Sequence, residues 1–212
     1  MRRMLKRVIV VTLLVPLMWV AGLTAWRLRS DWTFFFLAPQ AGEILGTHNG
    51  VSVYAYGSGG SVRGDYGLEY ECVELVNRYY VQVLGHRNMT KTGHAESYYW
   101  DAREKGLIAY NNGESVAPSV HDILVFDGGQ DDGSVGHVAI VVEVDKERGS
   151  ITFIEQNMIA YTDWVFRRDI WKDTLPLTHL DGEWFVDQRR YTLPVVGWSR
   201  IAPPTTRTRS AP

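Results

Sequence analysis

Between Asp122 and Gln156 the chain carries three short apolar runs rich in β-branched residues: Asp122–Phe126, Val138–Val144 and Ile151–Gln156. Each is too short for an ordinary helix, and that residue mix fits a pleated, buried surface. Asp127–Gly136 and Asp145–Ser150 separate them and hold the glycines and polar residues of turns. Upstream the period changes. Val73, Val76, Tyr80 and Val83/Leu84 recur at helical spacing, which predicts a helix over Glu69–Leu84 ending at Gly85. Ala95–Lys105 reads as a second helix closed by Gly106, and Gly50–Tyr56 as an alternating strand before the glycine-rich loop Gly57–Gly67. Weaker strand signals cover Trp164–Ile170, Trp184–Tyr191 and Val195–Ile201. A helix pair followed by a run of antiparallel strands predicts an α+β fold, with the N-terminal helices packed on the sheet.

The N-terminal segment obeys a different rule. Arg2, Arg3, Lys6 and Arg7 precede an uncharged apolar run of 19 residues, Val8–Trp26. At about 1.5 Å per residue such a run reaches roughly 28 Å, close to the hydrocarbon thickness of a bilayer. The basic cluster keeps the N-terminus in the cytoplasm and sends the remainder outside. The run is longer than a signal-peptide core, Leu23–Thr24–Ala25 is a poor cleavage site and Val20–Ala21–Gly22 a slightly better one, so an uncleaved anchor is expected, with cleavage as the alternative. The expected organisation is a cytoplasmic segment (1–7), a transmembrane helix (8–26), a juxtamembrane linker (27–41), a folded domain (42–202) and a disordered tail (203–212).

The net charge is -2, which gives no basic excess for nucleic acid. Cys72 is the sole cysteine, so an intrachain disulfide is ruled out and its thiol is inert and buried, intermolecularly paired, or reactive. It falls in the first turn of the first expected helix. The peptide dipoles and free N–H groups there favour a thiolate and can hold the oxygen of a tetrahedral intermediate. Glu69, Glu71 and Glu74 act against ionisation, so a partner imidazole is needed.

His137, at the mouth of the strand V-G-H-V-A-I-V-V, is the candidate base, 65 residues beyond the cysteine. Glu155 lies in the apolar run I-T-F-I-E-Q-N-M, where a carboxylate needs a partner. Accepting the second imidazole N–H would fix the tautomer. Asn157 shares the expected strand face and could take or assist that role. A zinc site on Cys72, His137 and Glu155 lacks the paired ligand spacings such sites use, and no metal or other cofactor is expected.

Five segments together resemble the CHAP family, the cysteine, histidine-dependent amidohydrolases/peptidases. They are Y-E-C-V-E-L-V-N-R-Y-Y (70–80), H-D-I-L-V-F (121–126), G-H-V-A-I-V (136–141), F-I-E-Q-N (153–157) and V-V-G-W (195–198). The resemblance implies a papain-like fold with Cys72 as nucleophile, His137 as base and Glu155 as orienter. I-L-G-T-H-N-G-V-S-V-Y (44–54), G-H-V-A-I and E-Q-N are also similar to the amidase domain of glutathionylspermidine synthetase/amidase. That domain typically has glutamine where this chain has Glu71, and paired arginines where it has Asn77–Arg78. The expected activity is hydrolysis of amide bonds in peptidoglycan peptides, near the membrane that holds the N-terminal helix. An amidase for a small polyamine–peptide conjugate and a non-catalytic envelope-binding module are the alternatives.

Overall fold

The computed structural model describes residues 39–57, 61–89, 93–127, 135–162, 166–187 and 193–203, with side chains for all of these except 159–169. The chain divides into two compact units. Residues 39–158 with 169–212 form the unit that holds the candidate site. Residues 1–38 with 159–168 form the other, most of which lies outside the described residues, as does the apolar run 8–26. Among the described residues no helix is long and apolar enough to cross a membrane.

The larger unit opens with a two-stranded hairpin, β1 (Ile44–His48) and β2 (Val51–Tyr54). Its two-residue loop, Asn49–Gly50, has φ values of 49° and 80°. Positive φ at both loop positions is what Asn-Gly tolerates and a right-twisted hairpin requires. Helix α1 (Cys72–Gln82) follows. A short helix α2 (Ser97–Trp100) and a 3₁₀ turn (Ala102–Lys105) lead into the main sheet. That sheet comprises β3 (Leu107–Asn111), β4 (Ile123–Phe126), β5 (His137–Asp145), β6 (Ser150–Thr162), β7 (Phe166–Leu180), β8 (Glu183–Val186) and β9 (Val195–Ile201). Their spatial order is β3-β9-β4-β5-β6-β7-β8. The registers of β3/β9, β4/β9, β4/β5, β5/β6 and β7/β8 are antiparallel.

Both faces of the central strands are covered, which explains why their sequences read as unbroken apolar runs. Ile123, Val125, Val138, Ile140 and Ile154 pack with Leu75, Val76, Tyr79 and Tyr80 of α1. Leu124, Phe126, Ala139, Val141 and Phe153 join Trp198 and Leu177 in a second core. Successive strand residues thus enter alternate cores, as the pleat dictates.

The α+β expectation holds as an antiparallel sheet with few helices. Five elements differ from the sequence reading. The first helix starts at Cys72 rather than Glu69, because Tyr70 adopts a left-handed φ of 69° and Glu71 is extended. The expected second helix is broken at Asp101 (φ -109°, ψ 26°) into α2 and the 3₁₀ turn. Strands β1 and β3 and most of β7 carried no strand assignment in the sequence reading, whereas β9 falls where expected.

Candidate active site

Cys72 is the first residue of α1, and its thiol is buried at the helix N-terminus. Glu71 occupies the N-cap position with no side-chain cap hydrogen bond. The first backbone N–H groups of the helix therefore stay free of a capping side chain, next to the sulfur.

His137 opens β5 directly after Gly136. That glycine has φ 67°, and a Cβ there would stand 2.7 Å from the Phe126 carbonyl oxygen. The tight approach sets the imidazole at the strand mouth, where the Phe126 ring lies 5.8 Å away centre to centre. Continuing the Ile140↔Ile154 register puts Glu155 opposite Ala139, two residues from His137. A diagonal pair at that separation is within reach of long side chains. His137 Nε2 and Glu155 Oε2 are 3.0 Å apart, and both side chains are buried.

The same imidazole hydrogen-bonds Cys72. Burial acts to lower the His137 pKa, but the Cys72 charge and hydrogen bond, followed by those of Glu155, push it up to about 10. Tyr98 stands close by. Burial and then the Cys72 charge raise its phenol well above the usual range, and its hydroxyl donates to Asn77 Oδ1 at 2.5 Å.

Asn157 is not brought to the imidazole. Its φ of 57° breaks the strand alternation, and its Nδ2 donates to Glu71 Oε2 at 2.7 Å. Ser61 Oγ donates to the other oxygen at 2.6 Å. The sequence reading passed over Gln156, which is fully buried. Its Nε2 donates to the Glu71 carbonyl at 3.0 Å and to Glu74 Oε2 at 2.9 Å, while its Oε1 accepts from the Tyr54 N–H at 2.9 Å. The available signal was a second polar residue in an apolar strand. Arg78 is structural: it pairs with Glu74 at 2.6 Å and donates to the Ser52 carbonyl.

A cleft of about 410 Å³ opens beside the sulfur. Cys72, Glu71, Leu68, Val73, Ala95, Val135 and Arg63 are among its lining residues. Among the described residues its wall is mainly apolar, with Glu71, Arg63 and His94 as its ionisable side chains besides Cys72. Among the described residues no group of three or more His, Cys, Asp or Glu is arranged to hold a metal ion.

A thiol bonded to an imidazole that is backed by a carboxylate, at the edge of a cleft, has the chemical parts of a covalent acyl-transfer centre. Residues 62–157 match the CHAP domain. That span of the chain is thus similar to the CHAP domain, the family named by the sequence resemblance. No curated protein matches the chain. Similar solved structures include an N-acetylmuramoyl-L-alanine amidase from Staphylococcus aureus, 26% identical over 49% of this chain and 27% of that one, with a TM-score of 0.33. Another is the wild-type endolysin LysIME-EF1, 18% identical over 64% and 59%, with a TM-score of 0.36. The chain spans less than two thirds of either protein, and at these scores the likeness decides neither fold nor substrate.

Proposed function

We propose that this protein is a cysteine-dependent amidase or peptidase acting on peptide amides of peptidoglycan, tethered by its N-terminal apolar run with the catalytic domain outside the cytoplasm. Cys72 is the nucleophile. His137 takes the thiol proton, forming an ion pair, and returns a proton to the leaving amine. Glu155 holds the ring and stabilises the imidazolium. The backbone N–H groups at the start of α1 receive the oxyanion.

The observation that supports this reading most is the His137 imidazole hydrogen-bonded to both Cys72 and Glu155 beside an open cleft. Export favours a wall substrate, since peptide amides outside the membrane belong to the envelope. The test is to incubate the domain, freed of residues 1–38, with purified peptidoglycan and identify released fragments by mass spectrometry. New amino and carboxyl termini are expected, and Cys72→Ala should release none. Intact peptidoglycan after prolonged incubation with the unaltered domain would defeat the substrate assignment.

A further inference from the structure

Three glutamates crowd Cys72 in sequence, and the structure gives each different surroundings. Glu74 is buried and ion-paired with Arg78 at 2.6 Å. Glu69 lines a second cavity of about 360 Å³, together with Tyr54, Asp65 and Arg78. Glu71 lines the cleft that holds Cys72. Its two oxygens accept one hydrogen bond each, from Ser61 Oγ and Asn157 Nδ2. Both donors are neutral, and no ion pair to Glu71 exists among the described residues. Two fixed donors hold the carboxylate in place yet leave its oxygens further acceptor capacity. Glu71, the residue before Cys72, thus lines the cleft with a carboxylate fixed by two neutral donors and ion-paired with no described residue.

We infer that Glu71 is a specificity-determining residue that binds an ammonium group of the substrate close to the scissile amide. The inference rests on the amide-hydrolase reading and adds a substrate class: peptide amides bearing a free amine beside the bond that is cut. Arg63, exposed on the same cleft wall, is the counterweight, since it favours substrate anions.

Because Cys72 is the sole cysteine, charged thiol reagents measure this field without any turnover. The probes are 2-aminoethyl methanethiosulfonate (cationic), 2-sulfonatoethyl methanethiosulfonate (anionic) and the neutral methyl reagent, applied to the wild type, Glu71→Gln and Arg63→Ala. Glutamine keeps the size and can still bond Ser61 and Asn157. The cation-to-anion rate ratio at Cys72 is expected to fall about fivefold in Glu71→Gln, the scale of a partly exposed ion pair, and to rise in Arg63→Ala. In turnover, acetylating the substrate amine should raise KM for the wild type and matter much less for Glu71→Gln. An unchanged reagent ratio in Glu71→Gln overturns the inference, as does a wild-type KM indifferent to acetylation. If the wild type cleaves no peptide amide, the function proposed above fails, and the reagent ratio still decides the role of Glu71. Should Glu71→Gln not fold, the wild-type reagent ratio decides: no preference for the cation overturns the inference.

Discussion

In the proposed mechanism the side chains that prepare Cys72 for chemistry come from far along the chain rather than from its neighbours. Its own helix start supplies N–H groups, while the imidazole comes from His137 and the backing carboxylate from Glu155. Cys72→Ala and Cys72→Ser should therefore fold with unchanged circular dichroism and lose nearly all turnover, and iodoacetamide should label Cys72. His137→Ala should cost about 10²- to 10⁴-fold in kcat, the range of a general acid–base group. Glu155→Gln should lose less, because an amide still orients the ring without stabilising its charge. Equal, negligible losses at His137 and Glu155 would remove both from the mechanism. The raised His137 pKa fixes a pH prediction. An imidazole whose folded pKa lies above its ordinary value of about 6.5 contributes stability fully below that value and loses it as pH rises towards 10. Activity should fall along the same alkaline limb as the general acid deprotonates. In Cys72→Ala the largest raising partner is gone, so the His137 midpoint, followed by NMR of the ring, should move down.

Among the elements, the strand segment 155–157 does most to assemble the site. Glu155 bonds the imidazole, Gln156 ties the strand to the residue before the nucleophile, and Asn157 holds the Glu71 carboxylate. Three consecutive side chains serve neighbouring parts of one site because Asn157 leaves the extended region at φ 57°. That departure is why its role was illegible in sequence: period-2 reasoning placed it on the face of Glu155. The grouping of Cys72, His137 and Glu155 was legible because a helix start, a strand mouth and a carboxylate in an apolar run are each local signals. Two tight turns were equally readable. Asn49–Gly50 and Asp181–Gly182 are two-residue loops of the types that force hairpins, and they would have revealed β1 and the β7–β8 connection. Strand β3 carried no comparable pattern, since its pairing with β9 is set by long-range contact. Gln156→Leu should destabilise the domain by about 1–3 kcal/mol, because the Tyr54 N–H and the Glu71 carbonyl lose a buried partner. Urea unfolding measures that loss. A fully stable variant with wild-type kcat would show that this bond network holds neither fold nor site.

At the scale of the whole molecule the question is where the domain works. The apolar run 8–26 is long enough to span a bilayer, and Arg2, Arg3, Lys6 and Arg7 oppose passage of the N-terminus. In the proposed topology only the 15 residues 27–41 separate the membrane from the domain. Fully extended they reach about 50 Å, at roughly 3.3–3.6 Å per residue. An enzyme held on that tether meets the envelope layer nearest the membrane, whereas a released one would diffuse through the whole wall. The full-length protein should therefore remain in the membrane fraction after a high-salt wash, which strips charge-held proteins but leaves a spanning helix in place. Protease added to intact spheroplasts should digest the domain while cytosolic markers stay whole. Replacing Arg2, Arg3, Lys6 and Arg7 with glutamine should weaken that orientation and protect a fraction of the domain. A wild-type domain already protected would place Cys72 in the cytosol, away from any wall peptide, and would turn the search towards small cytosolic amides.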